Sequence, residues 1–171
     1  EIPEGIEIEL NGNKVVVKGK EGVNEREFDV ANLIFEKKGN EIIIGNKKAT
    51  KKEKRKMNTI AAHIRNMMKG VQEKFEYKLK ICFSHFPITV DIKGNEALIK
   101  NFLGERVPRK MKIPSGVDVK VEKDIITISS LNIELAGQVA ANFENVTRIS
   151  KRDRRVFQDG IFITSKCGEE I

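Results

Sequence analysis

Ile8-Glu9-Leu10-Asn11-Gly12-Asn13-Lys14-Val15-Val16-Val17-Lys18 and Val90-Asp91-Ile92-Lys93-Gly94-Asn95-Glu96-Ala97-Leu98-Ile99-Lys100 write one pattern twice, at a constant offset of 82. Apolar, acidic, apolar, variable, Gly-Asn, polar, three apolar and lysine recur in order. A second match follows at an offset of 79, where Ile60-Ala61-Ala62-His63-Ile64 lies over Val139-Ala140-Ala141-Asn142-Phe143. Two ordered matches with nearly equal offsets indicate a duplicated module. The expected fold is α+β, with two tandem modules at residues 1–79 and 80–171. Each would be an antiparallel β-sheet with one α-helix packed on one face.

Local pattern fills in each module. Ile6, Ile8 and Leu10 alternate with Glu7 and Glu9, the period of a half-buried strand. Asn11-Gly12 tolerates the positive φ of a hairpin turn, and Lys14 to Lys18 is the return strand. Further strands are expected near Arg26–Phe28, Leu33–Lys37 and Ile42–Ile44, with Gly39-Asn40 turning between the last two. Met57, Ile60, Ala61, Ile64, Met67, Met68 and Val71 then fall at helical spacing, and Gly70 is placed to end the helix.

The second module has expected strands at Ile88–Lys93, Ala97–Asn101, Val107–Ile113, Val117–Val121 and Ile125–Ser129. Its helix starts from Asn132 as N-cap, with Glu134 in the first turn and a buried stripe of Leu135, Val139, Phe143 and Val146. The strictly alternating Phe75–Phe83 reads as a strand joining the modules.

Hydrophobic residues make up 39% and charged residues 33%, so a real core lies under a densely charged surface. A net charge of +7 and a pI near 9.4 favour a polyanionic partner. No apolar run approaches the roughly 20 residues a membrane span needs, and the start does not read as a signal peptide. Cys82 and Cys167 suit reduced thiols better than a disulfide framework.

The cations cluster in three places. Lys47-Lys48-Ala49-Thr50-Lys51-Lys52-Glu53-Lys54-Arg55-Lys56 sits just before or within the first turn of the first helix, where cations oppose the helix dipole. Lys51, Lys52 and Arg55 are its candidate RNA contacts, and a solvated loop remains the alternative. Arg148, Lys151, Arg152, Arg154 and Arg155 run from the second helix into an extended tail. The last three lie too late to act as helix caps, which favours phosphate contact. Arg106, Arg109 and Lys110 ride on the loop Asn101–Lys110, which either enters an RNA groove or faces water.

Enzymatic readings find little support. His63 falls inside the helix pattern. Cys82 and His85 form one C-x2-H pair without a second at zinc spacing. No G-x-S-x-G, Walker or Rossmann fingerprint occurs, and no apolar pocket is evident that would raise a carboxyl pKa. No catalytic residue, metal, cofactor or small-molecule substrate is expected. With no tryptophan and one tyrosine, recognition should rest on phosphate, 2′-hydroxyl and shape contacts.

Arg155-Val156-Phe157-Gln158-Asp159-Gly160-Ile161-Phe162-Ile163, preceded by Ile149 and Arg152 and followed by Lys166, resembles the C-terminal signature of the large-subunit ribosomal protein six family. Ile2-Pro3-Glu4-Gly5, Ile60–Met67, Phe75–Phe86 and Asn101–Glu105 resemble its archaeal and eukaryotic branch. Asn145 and Phe162 depart from the pattern, standing where Gln and Tyr are expected. The resemblance implies an rRNA-binding constituent of the large subunit in the cytoplasm. Binding would run chiefly through the second module and tail, near the factor-binding region and the translational GTPases, with neighbouring ribosomal proteins as further partners. Arg152, Arg155 and Lys166 match the signature, and charge adds Lys151 and Arg154. A free RNA- or DNA-binding regulator and a metal-dependent nuclease are the rival readings.

Overall fold

The computed structural model describes residues 2–31, 33–46 and 49–171. The chain divides into two compact units, Glu1–Lys74 and Phe75–Ile171. The boundary read from the sequence, between residues 79 and 80, falls inside a strand that belongs wholly to the second unit.

In the first unit, β1 (Glu7–Asn11), β2 (Lys14–Gly19) and β3 (Gly22–Glu27) form one antiparallel sheet, and β4 (Ile34–Lys38) and β5 (Glu41–Gly45) a separate hairpin. Helix α1 (Lys51–Gln72) buries Ile60, Ile64, Met67 and Val71 with Ile8, Val15, Val17 and Phe28. Gly70 does not end this helix. It lies inside the last turn, and Val71 beyond it is fully buried. Burying a valine stabilises by roughly 1.5–3 kcal/mol, more than the roughly 1 kcal/mol that a glycine costs inside a helix. The helix end docks on the β2–β3 turn, where Glu21 N donates to Val71 O at 3.0 Å. A Cβ on Gly19 would stand 2.7 Å from Val71 Cγ2, so this close approach requires glycine.

The second unit contains β6 (Phe75–Cys82), a sheet of β7 (Thr89–Lys93), β8 (Glu96–Lys100) and β9 (Arg109–Lys112), then β10 (Val117–Glu122) and β11 (Ile125–Ser130). Helix α2 (Ile133–Val146), β12 (Gly160–Lys166) and β13 (Glu169–Glu170) follow. The larger sheet runs β10-β11-β6-β12-β13, so β6 is its central strand rather than a link between modules. Each module therefore has two sheets, where the sequence suggested one.

The duplication holds at atomic detail. β1–β2 pairs Glu7 with Lys18 and Asn11 with Lys14; β7–β8 pairs Thr89 with Lys100 and Lys93 with Glu96, each shifted by 82. Phe28 N donates to Asn13 O at 2.8 Å, and Ile113 N to Asn95 O at 2.7 Å. Inward alternation holds both registers, because a one-residue slip would turn the core residues out to water.

Other departures have local causes. β3 is longer than Arg26–Phe28, since the tight Gly19–Gly22 turn starts pairing at once. β9 starts after Pro108, which lacks a ladder donor, and Val107 is exposed. α2 buries Ala136, Val139, Ala140 and Phe143, while Leu135 and Val146 are half-buried. Small residues let this helix sit close to the strands.

Candidate nucleic-acid interface

Between α2 and β12 lies the connector Thr147–Asp159, which holds the second basic cluster. Both of its ends are fixed. Thr147 is buried; its Oγ1 donates to Phe143 O at 3.1 Å and accepts from Ile161 N at 3.0 Å. Ile163 N donates to Glu144 Oε1 at 3.0 Å, so the helix satisfies β12 amides that no neighbouring strand takes.

At the other end Asp159 is buried and accepts from Ser84 N at 2.6 Å, His85 N at 3.1 Å and the His85 Nδ1 at 2.6 Å. Burial pushes its carboxyl up, but these hydrogen bonds and the imidazole outweigh it and hold the pKa at about 2. The sequence offers no apolar pocket that would raise a carboxyl pKa; Asp159 is buried all the same, and its pKa is lowered.

Within the connector, Asp153 closes a turn. Its Oδ1 accepts from Arg155 N at 2.9 Å, and its carbonyl accepts from Phe157 N at 2.9 Å. Phe157 stacks on His85 at 4.8 Å between ring centroids and lies 4.8 Å from the Arg152 guanidinium. Lys151 is held at φ 60, a strained position for a lysine. Lys151, Arg152, Arg154 and Arg155 are all exposed. Among the described residues no carboxylate forms an ion pair with Lys151, Arg154 or Arg155. The cations thus stand on a backbone tied down at both ends.

The loop before β9 adjoins this connector. Arg109 binds Glu105 through two bonds of 2.8 and 2.6 Å, donates to Val146 O at 2.5 Å and lies 4.2 Å from the Phe102 ring centroid. Glu105 is held below the usual carboxylate range by Arg109, with Arg152 contributing from the connector. Arg109 therefore fastens the loop to the end of α2 and is not a free cation. Arg106 and Lys110 are exposed. Lys166 is not part of this group, because β12 carries it roughly 20 Å from Gly160.

In the first unit Lys51, Lys52 and Arg55 are exposed on the first turns of α1. Thr50 and Glu53 form a capping box: the Glu53 carboxylate accepts from Thr50 N at 2.9 Å and from the Thr50 hydroxyl. That box offsets the unfavourable dipole and occupies the helix end, leaving any anion to the side chains. Lys56 is paired with Asp29 at 2.6 Å. Lys47 and Lys48 lie outside the described residues.

Groups with catalytic potential do not assemble. Both the Ser84 hydroxyl and Asp159 meet His85 at Nδ1, so no serine–histidine–aspartate relay is formed. Among the described residues no three metal-ligating side chains converge. No described helix is long and apolar enough to cross a membrane.

The family model for ribosomal protein L6 matches the chain twice, over residues 2–74 and 86–160, one match per module. The chain belongs to the ribosomal protein L6 family. Relatives named large ribosomal subunit protein uL6 agree along nearly the whole length. The Methanobrevibacter smithii protein is 45% identical over 97% of this chain and 93% of its own. The Desulfurococcus amylolyticus protein is 46% identical over 100% and 94%, and that of Methanococcus vannielii 42% over 100% and 94%. Membership places the chain among ribosomal proteins rather than enzymes.

The L6-type signature acquires a physical reading from the fold. Phe157, Asp159 and Gly160 build and fasten the connector that presents the arginines. The clamping roles of Asp159, His85 and Thr147 escaped the sequence reading, since neither the Asp159–His85 contact, 74 residues apart, nor the Thr147–Ile161 contact, 14 apart, leaves a periodic trace. Beside the connector lies an open cleft of about 710 Å³ that charge patterning did not reveal. Asn145 and Phe162 both line it.

Proposed function

We propose that this L6-family protein is a structural anchor of the large ribosomal subunit, binding rRNA chiefly through the connector of its second module. One observation carries the reading: among the described residues no carboxylate pairs with Lys151, Arg154 or Arg155, on a segment clamped by Thr147 and Asp159. A preorganised array of guanidinium groups meets phosphates without the cost of ordering a mobile chain. Arg152, held against Phe157, completes the array, and Arg106 and Lys110 extend it. Lys51, Lys52, Arg55 and Lys166 form separate, weaker contacts with rRNA or face neighbouring ribosomal proteins. Following the family resemblance, the site lies near the factor-binding region, close to the translational GTPases. The protein supplies them no catalytic group, and its place is on cytoplasmic ribosomes.

Each phosphate neutralised contributes about 0.9 to the salt slope of binding. Changing Arg152, Arg154 and Arg155 together to Glu is expected to leave the fold intact and to remove about three from that slope. It should also abolish co-sedimentation with large subunits. Unchanged affinity and slope would overturn the proposal.

A further inference from the structure

The connector does more than present cations. With the ends of β6 and β12 and the last turn of α2 it encloses an open cleft of about 710 Å³. That is the size of a small-molecule site, whereas backbone contact with an RNA duplex needs no concavity. The lining has a particular chemistry. Arg148 and Arg154 bring positive charge, and Asn145 and Gln158 bring amides that both donate and accept. Phe162 and Phe157 bring aromatic surface. Phe162 is 45% exposed on a strand whose neighbouring Ile161 is buried, an apolar ring turned outward without a partner in the core. It lies over Gly160, where an added Cβ would come within 3.1 Å of the ring, so the glycine fixes its position.

We infer that this cleft receives one unstacked nucleotide of the bound RNA. The base lies against Phe162, its edge meets Asn145 and Gln158, and the flanking phosphates meet Arg148 and Arg154. An aromatic face, amide groups for base edges and guanidinium groups for phosphate are together what a splayed-out nucleotide requires. This rests on the proposed RNA-anchoring role and sharpens it, since a single extruded nucleotide gives local specificity that phosphate contact lacks.

The test uses the full chain and two RNA duplexes of equal length, one fully paired and one carrying a single bulged 2-aminopurine. The wild-type protein should bind the bulged duplex about tenfold more tightly, as one base stack provides, and change its 2-aminopurine emission. Phe162→Ala and Asn145→Ala should each reduce that preference to about twofold or less while leaving affinity for the paired duplex unaltered. Phe162 and Asn145 are both exposed, so neither change opens the core, and two variants guard against a local collapse. Equal affinity for the two duplexes with no emission change would overturn the inference, yet leave the anchoring role standing if the triple arginine variant still lost binding. No salt-dependent binding to either duplex would overturn both. Displacement of the bulged RNA by micromolar adenosine monophosphate would show a free-nucleotide site and also overturn the inference.

Discussion

On the sheet face turned away from its helix, the first module carries Glu7, Glu9, Glu25 and Glu27 against Lys14 and Lys18. On the matching face the second module carries Lys93, Lys100, Lys110 and Lys112 against Asp91 and Glu96. The inward positions hold one pattern in both, with Ile8, Val15 and Val17 answered by Val90, Ala97 and Ile99. A duplicated core keeps its register because slipping would expose it, while the outward positions are free to reverse their charge. The connectors differ more. After α1 the chain reaches β6 through Glu73–Lys74; after α2 it reaches β12 through Thr147–Asp159. The second module thus carries a fastened basic segment with no counterpart among the described residues between α1 and β6.

The largest effect that would sharpen this contrast comes from charge reversal in each module. Arg152, Arg154 and Arg155 changed to Glu should lower rRNA affinity by at least about 100-fold at moderate salt, measured by filter binding. The same change at Lys51, Lys52 and Arg55 should cost about tenfold or less. Equal losses would erase the asymmetry.

The clamp comes next. Asp159→Ala leaves the Ser84 and His85 N–H groups without their acceptor and should destabilise the chain by about 3 kcal/mol in urea unfolding. It should weaken rRNA binding although every arginine is retained. The pH dependence has a definite sign. The folded pKa of about 2 lies below the ordinary 3.8, so the contribution of Asp159 is whole above about pH 4 and is lost as the pH falls toward 2. Wild-type stability should drop over that window, and Asp159→Asn should flatten the drop.

Smaller effects belong to the first module. Gly19→Ala pushes a methyl into Val71 and should cost about 1–3 kcal/mol with little change in rRNA affinity. Thr50→Ala removes the capping box and should cost about 1 kcal/mol, read from the same unfolding curves.

Much of this was legible in the chain. The repeated Ile8–Lys18 and Val90–Lys100 gave both hairpins and their pairing, and Asn132 with Glu134 marked the start of α2. What escaped reading was set by partners distant in sequence. The sequence reading assigns no strand to β12, because Ile161, Phe162 and Ile163 are all apolar and hide the alternation that β6 imposes. Arg109 looked like its neighbours, yet Glu105, Phe102 and Val146 engage it. Gly70 was expected to stop a helix that the burial of Val71 carries onward.

Directed hydroxyl-radical cleavage tests the central claim most directly. In a Cys82→Ala, Cys167→Ser background, iron–EDTA is tethered through Ser150→Cys in the connector or through Glu25→Cys on the acidic sheet of the first module. After assembly with large-subunit rRNA, the connector probe should cut one compact group of nucleotides, and the Glu25 probe should cut weakly or nowhere. Strong cleavage from Glu25 with none from Ser150 would contradict the account.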